Sequence, residues 1–491
     1  TPQREINVAG DVTRDMQAQF VSLRTDITQR EINIMHPPAP LTAAKADGTD
    51  QSAVIQAIID NFPDGATIFV PEGVFVASLK VHSNISIKGA GRNKSVLKAP
   101  SGSNMPVIDN KNHADGANVN IEIRDITIDG NKDTMTEDVE QSSSIRFRGV
   151  DGLVISNCNI INGYRYNIFM GYCRNVTIKD NYIDGNGTSA SVVAAGDGVR
   201  FAGRITIDNN TITNSAMDAI IANVSNVNIT NNRIENTGLA SLAAGIYMTN
   251  TSRNNKIIGN YVTNASIGID LNGAKDIEVI GNTCTFNKKG GIWAYGGAKN
   301  IKIIGNTCSN NNQLGETYGG IGVTQSGTGY CVIEGNVCYD DQETPTQRFG
   351  LYLADSDFNV VRGNVTFGNS INHFYITNNE NSDLHFLTSR SEIRNNTTIS
   401  GESYSGAKGR NILTLNGSSD NNHIQVTSNK ERVKFANASG ASIMLQFSFY
   451  RGSSSGRPTN AVIGEAYFDT TLGKPIWYNG SNWVDATGTV V

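Results

Sequence analysis

The chain has 491 residues and a formal net charge of -5. This acidic balance argues against a nucleic-acid binder, which normally presents a basic face. No run of about 18 apolar residues is present, so we expect no membrane insertion. The chain begins at Thr1 without Met or an apolar signal region, so we expect any leader to be trimmed or absent.

The 50 glycines, the many asparagines and only 11 prolines favour tight turns between short strands over helices. Six cysteines lack the paired C-x-x-C spacing of a zinc site, so we interpret them as small buried apolar residues. We predict no metal site and no cofactor. The six are Cys158, Cys173, Cys284, Cys308, Cys331 and Cys338.

Residues 11–34 have helical periodicity. Phe20, Ile27 and Ile34 repeat at heptad spacing, with Met16 and Leu23 each four residues before one of them. This predicts a short coiled-coil stem over residues 1–36, which prolines then end. A single amphipathic helix lying on the body is the alternative, because three heptads are too short to be stable alone.

A second helix is predicted after candidate caps at Asp50 and Ser52. Its apolar face is Val54, Ile55, Ile58 and Ile59. Residues 67–70 then read as a strand that ends in the Pro71-Glu72-Gly73 turn. We expect residues 37–84 to hold this capping helix and the first strands, covering the open end of a stack of strands.

From about residue 85 to 400 one pattern recurs, in which apolar Ile or Val alternates around an Asn. A period in the twenties with such alternation predicts a β-solenoid, an all-β parallel β-helix. Leucine-rich repeats would need recurrent Leu instead. The Asn column is predicted to be a structural ladder between turns. Its members lie 22 to 32 residues apart: Asn181, Asn210, Asn232, Asn260, Asn282, Asn306, Asn336, Asn364 and Asn396.

Each turn of the repeat carries a second strand, whose third residue should face outward because strand side chains alternate. This column reads Arg146, Phe169, Arg200, Ile221, Tyr247, Asp270, Trp293, Gly322, Tyr352 and Tyr375. Two positions further on, Arg148, Asn223, Asn272, Tyr295 and Thr324 also face outward. Aromatic rings stack on sugars and Arg forks bind acidic groups, so the columns predict a glycan groove. The alternatives are a trimer contact or a sheet face covered by a loop. The predicted substrate-binding residues are Arg146, Arg148, Arg200, Tyr247, Trp293, Tyr295 and Tyr352.

Asp197 and Asp218 are the predicted catalytic pair. Aligning the strands puts them on neighbouring turns, with Cα atoms about 5 Å apart. Two carboxylates so close cannot both ionise cheaply, which suits one acid and one base or nucleophile. Arg200 could steady an anion there, and Asp270 is the reserve candidate. The alternative is two turn aspartates that cap backbone amides.

Particular segments resemble a known superfamily. ADGTDQSAVIQ at residues 46–56 and IFVPEG at 68–73 are similar to the opening of pectate-lyase-like right-handed β-helix proteins. That opening recurs in phage tailspikes, pre-neck appendage proteins and polygalacturonase-like enzymes. Residues 35–38 and 126–131 resemble the Bacillus phage and prophage members.

The resemblance implies a homotrimer in a virion tail or appendage, or outside the cell. It also implies binding, and often cleavage, of a cell-surface polysaccharide or teichoic acid. Asp197 and Asp218 loosely resemble the aspartates of polygalacturonase-like sites. The Gly-His-Gly of those sites is absent, since Ala243-Ala244-Gly245 stands there. A hydrolase of an anionic polymer is therefore predicted, with a uronate lyase and a non-catalytic adhesin as alternatives.

The remaining chain is predicted to form a β-rich extension at 401–456 and a small hairpin module at 457–491. The module resembles one that ends many phage fibre proteins. A turn at Asn479-Gly480 would bring Trp477 and Trp483 together.

Overall fold

Three long parallel sheets wind into one coil in the computed structural model, which describes residues 31–196, 203–238, 243–377, 383–387, 415–416, 423–427, 450–459, 461 and 463–491. Successive strands of the chain visit sheets A, B and C in turn, and each strand bonds to the strand one turn earlier. Within those ranges the three sheets hold 15, 12 and 13 strands. The predicted parallel β-helix is therefore confirmed.

Sheet A comprises Glu31–Asn33, Ala66–Val70, Ile85–Gly89, Asn118–Arg124, Val150–Ser156, Arg174–Lys179, Gly203–Asp208, Val227–Thr230, Lys256–Ile258, Lys275–Ile280, Lys299–Ile304, Val332–Glu334, Val360–Arg362, Asp383–Leu387 and His423–Thr427. Sheet B comprises Gly73–Val76, Ser95–Lys98, Thr127–Asp129, Asn159–Ile161, Tyr182–Asp184, Thr211–Thr213, Arg233–Glu235, Tyr261–Thr263, Thr283–Thr285, Thr307–Ser309, Val337–Tyr339 and Val365–Phe367. Sheet C comprises Leu79–Val81, Ile108–Asn110, Ile145–Arg148, Ile168–Gly171, Val192–Ala195, Ile220–Ala222, Ala244–Met248, Ile267–Asn272, Ile292–Tyr295, Gly319–Thr324, Phe349–Ala354, Asn372–Thr377 and Leu415–Asn416. Two 3-10 turns lie at Lys132–Thr134 and Ser454–Gly456.

The interior of the coil is a continuous apolar column. Inward positions such as Ile178, Ile207 and Ile229 are fully buried, and each stacks on its counterpart one turn away. β-Branched side chains suit this packing because they fit a pleated, half-buried surface. The six cysteines are also buried, as predicted, and form no disulfide bonds.

The Asn column forms the predicted ladder. The Asn210 side-chain amide donates to Asn232 Oδ1 at 2.9 Å, and that of Asn232 donates to Asn260 Oδ1 at 2.9 Å. Each amide also bonds a backbone carbonyl of an earlier turn, as Asn260 does to Ile229 O at 2.8 Å. The ladder runs from Asn181 to Asn364, whereas Asn396 lies outside the described residues.

A second amide ladder was not predicted. The Asn287 amide donates to Asn311, that of Asn311 to Gln347, and that of Gln347 to Asn369, at 2.8 to 2.9 Å. The sequence signal is weaker because the ladder is short and one member is Gln.

The beginning of the described chain differs from the prediction. Residues 1–30 lie outside it, so the predicted stem is untested there. At its end, however, Glu31–Asn33 is a strand that pairs with the Thr67–Phe69 portion of sheet A, and Ile34 is buried in the core. The helical interpretation is wrong for these residues, because pairing covers the open edge of the sheet.

The capping helix α1, Ser52–Asp60, is confirmed. Asp50 Oδ1 accepts the Ser52 backbone N–H at 2.8 Å, and Ile55, Ile58 and Ile59 are buried in the same core as the strands. Gln56 makes two hydrogen bonds, of 2.9 and 2.8 Å, to the Lys80 backbone in sheet C. No helix among the described residues is long and apolar enough to cross a membrane.

Sheet D, near the end of the chain, comprises Tyr450–Gly452, Ala466–Asp469, Lys474–Tyr478 and Trp483–Val484. The predicted hairpin at Asn479-Gly480 is present, with Asn479 N donating to Asn482 O at 3.0 Å. The predicted packing of Trp477 on Trp483 is wrong. Trp483 is paired with Tyr478, so adjacent Trp477 points to the other face.

Candidate functional site

The outward column of sheet C is continuous across the coil. Strand register aligns Lys80, Asp109, Arg146, Phe169, Val193, Ile221, Tyr247, Asp270, Trp293, Gly322, Tyr352 and Tyr375. The prediction is correct for every turn except one. Arg146, Phe169, Asp270 and Trp293 are buried rather than solvated, because neighbouring side chains lie over them.

The exception is the turn on which the predicted pairing of Asp197 with Asp218 rests. The strand that follows Ile168–Gly171 in sheet C is Val192–Ala195, not the predicted 198–201. Ala190 therefore occupies the position next to Asp218 that was predicted for Asp197. Asp197 and Arg200 lie outside the described residues. The Gly-Val-Arg-Phe sequence of 198–201 has the same residue pattern as the sheet C strands, and this similarity led to the wrong alignment.

Asp270 is an enclosed carboxyl at the middle of the column, between Tyr247 and Trp293. Its Oδ2 accepts a 3.3 Å hydrogen bond from the Tyr295 hydroxyl, while its Oδ1 has no partner among the described residues. Burial, and then the charge of Asp218, raise the pKa of Asp270 to about 7. A buried carboxylate with only one long hydrogen bond is poorly stabilised, so its protonated form is favoured.

Asp218 lies two strands earlier in sheet C, in the turn just before Ile220–Ala222. Burial raises its pKa to about 6. Its Oδ1 accepts the Ala244 backbone N–H at 2.6 Å, so the alternative role of capping a backbone amide is present as well. That short hydrogen bond favours the ionised form of Asp218 more than the 3.3 Å hydrogen bond from Tyr295 favours that of Asp270.

Tyr247 lies close enough to both Asp218 and Asp270 for each of their charges to affect its pKa. Burial and the charges of Asp270 and Asp218 all raise its pKa, although Asn272 donates to its hydroxyl at 3.4 Å. The pKa of Tyr295 is raised by burial and by Asp270. Sheet C thus assembles two carboxyls and two phenols from four consecutive turns of the coil: Tyr247, Asp270 and Tyr295 lie on three consecutive strands, and Asp218 lies just before the strand that precedes them.

Aromatic rings continue the column beyond Asp270. The Trp293 ring is 4.7 Å from that of Tyr318 and 5.8 Å from that of Tyr352, and Tyr352 stacks on Tyr375 at 5.0 Å. Gly322 lies beneath the indole, and a Cβ there would be 2.4 Å from ring carbons. The missing side chain is what allows Trp293 to lie flat along the sheet.

The predicted binding arginines are engaged by protein carboxylates. Arg146 donates to Asp109 Oδ2 at 2.5 Å, and Arg148 donates through Nε to Glu140 Oε1 at 2.7 Å. They lie five strands from Asp270, which is about 24 Å along the coil. They are therefore not neighbours of the carboxyl pair.

Sequence reasoning missed Asp109, Glu140 and Tyr318. Asp109 would have been found by extending the strand alignment back one turn. Glu140 and Tyr318 lie in the turns that precede sheet C strands, where insertions carry no periodic signal. Among the described residues, no three His, Cys, Asp or Glu side chains are grouped so as to hold a metal ion.

The family is shown by a sequence model described as the right-handed β-helix region, which matches residues 107–284 and 244–437. The chain therefore belongs to the right-handed β-helix family. The resemblance stated from residues 46–56 and 68–73 is confirmed at the level of fold.

Individual relatives have low sequence identity to this chain. Mannuronan C5-epimerase AlgE3 of Azotobacter vinelandii is 28% identical over 203 residues, which is 37% of this chain but only 11% of the epimerase. The AlgE6 A-module of the same organism has a TM-score of 0.50 at 18% identity, covering 85% of this chain and 100% of that one. Bacteriophage phi29 gene product 12 gives 0.52 at 15% identity, covering 78% and 62%. These structures share the fold.

Proposed function

We propose that this chain binds an anionic cell-surface polysaccharide along sheet C and hydrolyses it with Asp270 as acid and Asp218 as base. The observation that carries the proposal is Asp270, a buried carboxyl with a raised pKa beside a strip of aromatic rings. Perturbed carboxyls in such surroundings are typical of catalytic acids.

Asp270 suits the acid. Its pKa of about 7 keeps it largely protonated at slightly acidic pH, and its Oδ1 has no partner among the described residues. Oδ1 is enclosed in the free protein, so we expect a bound sugar to displace the half-buried Tyr295 ring. The acid then protonates the glycosidic oxygen as the bond to the anomeric carbon breaks.

Asp218 suits the base. Its pKa of about 6 is the lower of the two, and the Ala244 N–H stabilises its anion. It would remove a proton from the water that attacks the anomeric carbon. The two backbones are offset by two strand spacings, about 10 Å, along the axis, and by three further positions along the strand direction. This offset favours an inverting pair, with room for a water, over a retaining pair, whose carboxyls are roughly 5 Å apart.

Three observations support a polysaccharide substrate. The column is long and continuous, the half-buried and mutually stacked Tyr352 and Tyr375 rings offer flat apolar surfaces, and the curated relatives are named for mannuronan. The resemblance to phage β-helix proteins supports a trimeric protein of a virion tail or appendage, or an extracellular one. Asp197 and Arg200 remain candidates that no contact tests.

A uronate lyase is the second candidate, because Tyr295 contacts Asp270 and the epimerase relatives are named for reaction at C5 of mannuronan. A lyase needs a base that removes a sugar proton. Burial and Asp270 raise the pKa of Tyr295, which disfavours the phenolate that such a base requires. Hydrolysis is therefore the better supported reaction.

Digestion of purified host cell-wall glycans tests the proposal. Mass spectrometry should show fragments that have gained one water. The same products should not absorb near 232 nm. Products that absorb there would select the lyase, and binding without any fragments would select the adhesin.

Matched variants test the residues. Asp270→Asn and Asp218→Asn should each lower the cleavage rate by about 100-fold or more, because each removes a proton-transfer group. The control is Asp276→Asn, since Asp276 is an exposed residue on the same turn of the coil, in sheet A. Full activity of Asp270→Asn would contradict the assignment.

A further inference from the structure

A charged cluster lies at the amino-terminal part of the same column. Arg146 and Arg148 stand at alternate positions of Ile145–Arg148, so both side chains point outward from the coil. The cluster is five strands from Asp270, too far to take part in bond cleavage.

The Glu140 carboxylate forms a bidentate ion pair with the Arg148 guanidinium. Nε donates to Oε1 at 2.7 Å, and the second prong joins Nη2 to Oε2. Arg146 Nη1 lies 3.9 Å from the same Oε1. The Glu140 carboxylate is therefore seated between two guanidiniums, in the geometry by which Arg recognises any planar carboxylate.

Asp109 and Glu140 hold the arginines in different ways. Asp109 is part of sheet C, its side chain is 2% exposed, and it accepts hydrogen bonds from both Arg146 and His113. Glu140 lies in the turn before the strand and its side chain is 21% exposed. Asp109 is thus a fixed anchor, whereas Glu140 can leave with little rearrangement of the sheet.

Two features indicate that the site formed by the Arg146 and Arg148 guanidiniums, called the seat below, accepts a group other than the Glu140 carboxylate. The Arg146 Nε is buried and has no hydrogen-bond partner among the described residues. The Arg148 guanidinium also lies 5.7 Å from the ring centroids of Phe169 and Tyr172. An aromatic surface beside a carboxylate fork matches a sugar that carries an acid group, because the ring and the acid are bound separately.

We propose that Arg146 and Arg148 form a carboxylate-binding subsite for a uronic-acid residue of the polymer, and that Glu140 occupies this subsite until the polymer replaces it. The inference rests on the proposed function, because it assigns the class of sugar bound along sheet C. With Glu140 in place, two arginines face two carboxylates. When Glu140 swings away, one positive charge is left for the ligand.

The test measures the affinity of trigalacturonate by calorimetry for wild type and Glu140→Gln. The variant should bind about tenfold more tightly, because the seat no longer has to be vacated before the ligand enters. The trimethyl ester of the probe, which lacks the charges, should show no gain.

Two controls isolate the seat. Glu137→Gln changes an exposed carboxylate in the same turn and should leave the affinity unchanged. Glu140→Gln combined with Arg148→Gln should lose the gain, and the melting temperature of each variant reports whether it is folded.

The outcomes separate the two proposals. Unchanged or weaker binding of trigalacturonate by folded Glu140→Gln overturns the subsite, even if wild type cleaves host glycan. A gain for glycerol 3-phosphate with none for trigalacturonate overturns the choice of carboxylate. A gain for trigalacturonate in a protein that cleaves no glycan supports the subsite and rejects the hydrolase.

Discussion

At the scale of single residues, Asp270 shows how far sequence reasoning reaches. Alternation along a strand was enough to put it on the outward column between Tyr247 and Trp293. Its enclosure could not be predicted, because Tyr295 and the flanking rings come from neighbouring strands whose side-chain orientations depend on packing. The raised pKa follows from that enclosure and was therefore also hidden.

The strand alignment behind the Asp197–Asp218 pair was wrong for a related reason, while Asp197 itself lies outside the described residues. A Gly-apolar-x-apolar pattern was taken as the strand, while the true strand, Val192–Ala195, lacks the glycine. Local pattern cannot distinguish the two, since register is fixed by hydrogen bonds to the turns on either side.

The buried Asp270 predicts a stability that falls as pH rises. Its folded pKa of about 7 lies above the usual 3.8, so the native state holds a proton that the unfolded chain releases. The free energy of unfolding therefore falls as pH rises through 7. The total loss is at most on the order of 4 kcal/mol. Asp270→Asn, which is neutral throughout, should melt at a higher temperature than wild type at pH 8 and at a similar one at pH 4.

Melting temperatures across pH 4 to 8 provide the measurement. Asp276→Asn should follow the wild-type curve, since it is exposed in sheet A. Parallel curves for wild type and Asp270→Asn would mean that Asp270 ionises normally in the folded protein.

At the scale of elements, the columns that repeat were predictable and the turns between them were not. The Asn ladder was identified because a single residue type recurs at one strand position over many turns. Glu140 was missed because its turn, residues 130–144, is much longer than the corresponding turn of the next coil, residues 162–167, so alignment gives Glu140 no partner there. The turns vary freely in length while the strands stay in register, so a periodic pattern does not place the residues that the turns carry.

The ladder carries a measurable share of stability. Asn260 donates to Ile229 O and Asn282 Oδ1, and accepts from the backbone and side chain of Asn232. Asn260→Ala leaves these buried groups unsatisfied, so we expect a loss of about 3 kcal/mol or more in urea unfolding. Asn228→Ala, at an exposed position of sheet A, should cost far less. Equal losses would show that the ladder is not a special source of stability.

At the scale of the whole molecule, the coil converts a sequence repeat into a long linear surface. Because each turn advances one strand spacing, a polymer bound as proposed would meet consecutive contacts along sheet C: Arg146 and Arg148, then the two carboxyls, then the aromatic rings. The fold was predictable because every turn repeats the same sequence pattern, an Asn with alternating Ile or Val. The chemistry was only partly predictable, because it depends on a few positions where turns differ.

The most direct test of this account is the structure of Asp270→Asn in complex with an oligosaccharide released from host cell wall. We predict sugar rings along sheet C, stacked on Tyr352 and Tyr375, with a glycosidic oxygen beside the residue at 270 and a water near Asp218. An oligosaccharide bound instead on the outer face of sheet A or sheet B would contradict the account.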